Sequence, residues 1–163
     1  MRRTGWAVLV MAVAVVGGSL LVRGPASGAF AGSIAGVVVD VVDGDTIDVG
    51  GVGRVRIIGI DTPERDECGF ETATRRLAEL VLGERVVLVA GASGDVDRYG
   101  RLLRYVDVDG VDAGLVLIEE GWAVPRYDSR DGYGAHQREA GYIQAESGVV
   151  GRSGSAGYSC RSP

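Results

Sequence analysis

The chain has 163 residues, enough for one domain, and carries 17 arginines, 22 acidic residues and no lysine, for a net charge of −5. A body this acidic excludes coating of nucleic acid by general electrostatic attraction, which needs clustered cations. Any recognition of phosphate has to rest on a local site with its own cation.

Arg2 and Arg3 precede an apolar run from Gly5 to Val22, and Ala29-Phe30-Ala31 fits the small-x-small pattern of a cleavage site. Residues 1–31 therefore read as a signal peptide of a secreted protein. The alternative is a retained membrane anchor with the domain facing outside, because the run is close to spanning length. A membrane contact follows only in the second case. Without this segment, 14 arginines face 22 acidic residues, a net charge of −8. In an exported chain, two cysteines predict a disulfide, Cys68 to Cys160, tying the C-terminal tail to the loop beyond Glu64. Closing a loop of roughly ninety residues contributes about 4–5 kcal/mol in the chain-entropy model. Two Cys and one His fall short of four zinc ligands.

The folded domain is expected over 33–147. Ser33 to Val42 is a β-branched run and reads as the first strand. Asp43-Gly44-Asp45 turns into a second strand, Thr46 to Val49, and a glycine hairpin leads to a third, Arg54 to Ile60. Phe70, Ala73, Leu77 and Leu80 or Val81 recur at helical spacing, with Gly83 placed to stop that helix. Glu84 to Ala90 and Arg101 to Val108 are the fourth and fifth strands. Asp112 reads as the N-cap of a short helix through Leu115 and Ile118, ended by Gly121. Ala135 to Ser147 is a last helix, and residues 148–163 form a loose tail pinned by Cys160. His136, with no evident partner, is expected at the surface. The fold class is mainly β (α+β): a five-stranded Greek-key barrel, the OB-fold, with about three helices. Some small α+β folds share this order.

The chemistry gathers in three stretches. R-I-I-G-I-D-T-P-E (Arg56 to Glu64) runs an apolar strand with one arginine into a polar corner, stiffened by Pro63. D-G-D-T-I (Asp43 to Ile47) and D-R-Y-G-R (Asp97 to Arg101) supply further carboxylates and guanidinium groups. Hard oxygens beside planar cations suit a metal-assisted reaction on a phosphate. Neither a P-loop nor H-E-x-x-H nor G-x-S-x-G is present, and the D-G-D stretch lacks the Gly and Glu of an EF-hand.

With these three motifs in this order, the chain resembles the staphylococcal nuclease (thermonuclease) family from about Ser33 to Tyr127. The resemblance implies a calcium-dependent nuclease acting on DNA and RNA, one Ca²⁺ per site, with water attacking phosphorus and the 5′-oxygen leaving to give 3′-phosphates. Asp45, Asp61 and the carbonyl of Thr62 match the family's calcium ligands, and such oxygens suit that ion. Asp43 supports a ligand or merely makes an Asx turn. Arg56 and Arg101 match the arginines that hold the scissile phosphate; guanidinium forks suit that task. Glu64 matches the proposed general base, or only orients water.

Arg98 and Tyr99 match a pair that holds a terminal phosphate. Tyr127 matches a tyrosine beside the base, or is a half-buried core residue. The stretch between Glu64 and Phe70 is short and acidic where better-known members carry a lysine-rich loop, and a second tyrosine near the base is Ser129 here. Asp43, Asp45, Asp61 and Glu64 against Arg56 and Arg101 leave the ion-free site at about −2, so metal and nucleotide are expected to tighten each other. The expected state is a monomer with no obligate protein partner. The rival function is a non-catalytic OB module that binds nucleic acid or protein.

Overall fold

The computed structural model describes residues 33–153. The first strand, β1 (Ile34–Val41), turns Gly36 and Val38 inward and Ala35, Val37 and Val39 outward, the period-2 pattern of a barrel wall. β2 (Thr46–Val49) returns antiparallel to it, and β3 (Gly53–Ile57) pairs with β2 so that Arg56 lies opposite Thr46. A two-residue strand, β4 (Ile60–Asp61), then leads through the polar corner to α1 (Phe70–Val81).

β5 (Arg85–Val89) pairs antiparallel with β1, and β6 (Leu102–Val108) pairs antiparallel with β5 and parallel with β3. That last pairing closes a five-stranded barrel, so the OB-type architecture stands. β7 (Val111–Asp112) folds back on β6 through Asp109 and Gly110, both at positive φ. α2 (Ala113–Glu120) follows. The Asp112 carboxylate caps it by accepting from Gly114 N and Leu115 N, and Gly121 ends it in the left-handed conformation. β8 (Val124–Pro125) pairs with β4, and after a 3-10 turn, Ser129–Asp131, comes α3 (Glu139–Ser153). Ile47, Val55 and Leu88 fill the barrel, while Leu77 of α1, Leu117 of α2 and Tyr142 of α3 join the same buried core.

Three expectations are corrected. The third strand does not run to Ile60. It breaks at Ile58-Gly59, where Gly59 takes φ +76° and the chain curls so that the Ile57 and Ile60 carbonyls both face the Arg56 guanidinium. The last helix starts at Glu139 rather than Ala135, because the Glu139 carboxylate turns back to accept from His136 N and Ser129 N. It continues through Gly148 to Ser153, so the chain there is helical rather than loose. His136 is not at the surface: it is buried, with Nδ1 2.9 Å from the Tyr105 hydroxyl. Residues 1–31, Cys160 and the Cys68–Cys160 bridge lie outside the described residues, as does most of the tail. Among the described residues, no helix is long and apolar enough to cross a membrane.

Candidate active site

Asp45 leaves the D-G-D turn pointing into the protein and is only 6% exposed. The turn is held by Asp43, whose carboxylate accepts the Asp45 N–H at 3.1 Å, so Asp43 does act as an Asx-turn residue. Gly44 sits hard against the corner: a Cβ there would lie 2.6 Å from Thr62 Oγ1. That close approach lets Thr62 donate to Asp45 Oδ2 at 3.2 Å. Thr46 donates to the other oxygen at 3.1 Å. Asp61 is placed by its register opposite Val124 on β8.

Arg56 ties these pieces together. Its Nη2 lies 2.9 Å from Asp45 and 3.5 Å from Asp61, and its Nη1 donates to Ile57 O at 2.8 Å and Ile60 O at 3.0 Å. The guanidinium is thus fixed by two carboxylates and two carbonyls, a pre-set cation rather than a waving surface arginine. Burial pushes the Asp45 carboxyl up to about 7, with Asp43 adding to the effect and Arg56 opposing it. One arginine therefore does not satisfy this carboxylate.

Arg101 approaches from the other side. Its Nη1 donates to Thr46 Oγ1 at 3.3 Å, and Thr46 in turn donates to Asp45, so one hydroxyl links the second arginine to the buried carboxylate. Asp97 positions Arg101 through an ion pair at 2.6 Å and a bond to its backbone N–H at 2.9 Å. Burial pushes the Asp97 carboxyl up, but the bonds from Arg101 and from Tyr99 N outweigh it and hold the group below its ordinary value.

Beside the arginines is a cavity of about 380 Å³, whose lining includes Arg56, Tyr99, Arg101, Leu103, Tyr127 and Tyr133. Arg98 lies over the Tyr99 ring at 4.7 Å and donates to its hydroxyl at 2.6 Å. Tyr127 is half-exposed rather than a core residue. Its ring lies 5.6 Å from the Arg56 guanidinium and its hydroxyl donates to Asp61 at 3.4 Å. Tyr133 meets it edge-on at 5.5 Å.

The fold therefore brings together Asp43, Asp45, Arg56, Asp61, Thr62, Arg98, Tyr99, Arg101 and Tyr127. Glu64 stands apart on the exposed corner. Its backbone N–H bonds the Glu67 carboxylate at 2.9 Å, its own carboxylate has no partner among the described residues, and it does not line the cavity. Among the described residues no group of three or more His, Cys, Asp or Glu side chains is arranged to hold a metal. A calcium ion here would be held by the two carboxylates Asp45 and Asp61 with the Thr62 carbonyl. That donor set fits. All three are hard oxygens, the buried Asp45 is short of positive charge, and three protein ligands leave positions open for water and substrate.

Three contributors escaped the sequence reading. Asp97 has the i,i+4 spacing to Arg101 that could have shown it. Thr46 lies within the D-G-D-T-I stretch but gives no sign that it links Asp45 to Arg101. Tyr133 sits in a loop whose path the sequence does not show.

Residues 54–147 match the family described as "Staphylococcal nuclease homologue". The "Micrococcal nuclease" of Shigella flexneri is 40% identical over 135 residues, covering 74% of this chain and 72% of that protein. The "SPbeta prophage-derived endonuclease YokF" of Bacillus subtilis is 41% identical over 95 residues, 53% of this chain and 32% of that protein. "Endonuclease YncB" of the same species is 38% identical over 95 residues, 53% of this chain and 45% of that protein. The chain thus spans less than half the length of these two endonucleases. The match across more than half of the chain, on a closed barrel with the motif residues gathered at one end of it, establishes that the chain belongs to the family of staphylococcal nuclease homologues.

Proposed function

We propose that this chain is a nuclease that hydrolyses phosphodiester bonds of DNA and RNA outside the cytoplasm, with calcium held by Asp45, Asp61 and the Thr62 carbonyl. The observation that carries the reading is the Arg56 guanidinium, pinned between Asp45 and Asp61 with Arg101 reaching the same carboxylate through Thr46. Calcium supplies a Lewis acid for a phosphate oxygen and offsets the acidic surroundings. The two arginines hold the scissile phosphate and the charge that grows on its oxygens as water attacks phosphorus. Glu64 takes the proton of that water, reaching it from the exposed corner, and the 5′-oxygen leaves. Arg98 and Tyr99 hold a neighbouring phosphate, and Tyr127 packs against a base, a contact that tolerates many sequences.

Product ends test this chemistry. Digestion of a short DNA and a short RNA with Ca²⁺ is expected to leave 3′-phosphate termini, read by mass spectrometry. Termini carrying 5′-phosphates would contradict departure of the 5′-oxygen.

The Asp45 carboxyl gives a second test. Its native value of about 7 lies above the ordinary value of 3.8, so between these pH values the native chain holds a proton that the unfolded chain has lost. Its contribution to stability is then present at low pH and is lost as pH rises through about 7. A calcium ion binding the ionised carboxylate reverses that loss. The calcium-induced rise in Tm is therefore expected to be larger at pH 8 than at pH 5. Equal shifts in wild type and Asp45→Asn would rule out Asp45 as a ligand, and equal shifts at pH 5 and pH 8 would contradict its raised value.

A further inference from the structure

The Arg56 guanidinium depends on the bend between Ile57 and Ile60, since both carbonyls that hold it belong to that bend. Gly59, at its apex, is packed directly against His136: a Cβ on Gly59 would lie 2.5 Å from both Cε1 and Nε2 of the imidazole. The ring thus occupies the place that a side chain at 59 would take. It is itself fixed. The Tyr105 hydroxyl accepts the Arg138 N–H and is hydrogen-bonded to His136 Nδ1 at 2.9 Å, and Tyr142 packs edge-on at 5.6 Å. Nε2 is buried with no hydrogen-bond partner among the described residues, so contact with Gly59 is what that edge of the ring contributes.

We propose that His136 is a positioning residue for the reaction. It wedges the Ile57–Ile60 bend at Gly59, beside the cavity that both residues line, and so sets where Arg56 presents its guanidinium to the phosphate. The inference rests on the nuclease reading above. Its physical basis is that displacement of a phosphate-holding group by a fraction of an ångström lowers turnover far more than it lowers affinity.

The test is a cycle in steady-state kinetics at saturating Ca²⁺, with fold monitored by circular dichroism. His136→Ala, which removes the wedge, and Gly59→Ala, which pushes against it, are each expected to lower kcat about tenfold or more with KM changed less than about threefold. Gly59 also holds φ +76°, so alanine strains the bend even beside a vacated space; the double variant removes only the clash with the ring, and its kcat is expected to rise at least about threefold above Gly59→Ala. Val81→Ala, which loosens the buried core on α1, is expected to lower Tm and leave kcat unchanged. Losses that multiply in the double variant, or kcat losses that merely follow Tm across all four variants, would overturn the proposal. If His136→Ala does not fold, recovery of kcat in the double variant relative to Gly59→Ala decides the matter, and its absence overturns the proposal. Wild-type turnover in the same assay tests the nuclease reading separately.

Discussion

Arg101→Ala is expected to fold normally and to lose about 10²–10³ in kcat. The side chain is partly exposed, and its fixed partners are one carboxylate, Asp97, and one hydroxyl, Thr46. Removing it leaves Asp97 on a surface loop where water can solvate it, and the loop turn itself is held by Asp97 bonds to backbone N–H groups that remain. The pair is only partly exposed, so stability is expected to fall modestly, by more than an exposed pair and less than a buried one. The catalytic loss is large because this fork is aimed at charge that develops only as the phosphate is attacked. Steady-state kinetics beside thermal denaturation separate the two effects. A variant that keeps wild-type kcat would remove Arg101 from the reaction.

Arg56→Ala is expected to lose both activity and stability. Arg56 is 8% exposed, and truncation leaves Asp45 buried without its cation and two carbonyls without donors. Breaking a buried pair by removing one partner costs about 3–5 kcal/mol. Protonation of Asp45, already pushed up to about 7, softens that cost at neutral pH and below. The destabilisation is therefore expected to be larger at pH 8.5 than at pH 6, and calcium is expected to restore part of it. Urea denaturation at the two pH values checks this. A loss of stability under about 1 kcal/mol at both, within the range of an exposed pair, would contradict the clamp described for Arg56.

These two arginines show what the sequence makes legible and what it hides. Their place in the motifs marks both as cations near carboxylates. That one is a buried structural clamp and the other a partly exposed side chain positioned by Asp97 comes only from the fold. The strands were readable because β-branched runs alternate and are punctuated by glycine turns, and Asp112 and Gly121 state the ends of α2 in residue chemistry. The break at Gly59 was not readable, because R-I-I-G-I is a continuous apolar run. The bend turns at Gly59 and puts carbonyls from both sides of it on one guanidinium, contacts that only the fold shows. The burial of His136 was equally hidden: its partner Tyr105 lies 31 residues away on β6. Asp97 adds one more carboxylate beside the site, and its charge is met by Arg101. The arginines and tyrosines of the motifs line the cavity while Asp43, Asp45, Asp61 and Thr62 stand outside its lining, and Glu64 is the motif carboxylate set apart on the exposed corner.

In the proposed reaction the carboxylate pair and the two guanidinium groups act on one phosphate with calcium present. The most direct measurement is digestion of plasmid and single-stranded DNA by the wild-type chain with Ca²⁺, repeated with EDTA and with Arg101→Ala. Cleavage by the wild type with Ca²⁺, abolished by EDTA and reduced at least about 10²-fold in the variant, is the predicted result. Retardation of the DNA without any cleavage, or cleavage indifferent to both EDTA and the substitution, would contradict it.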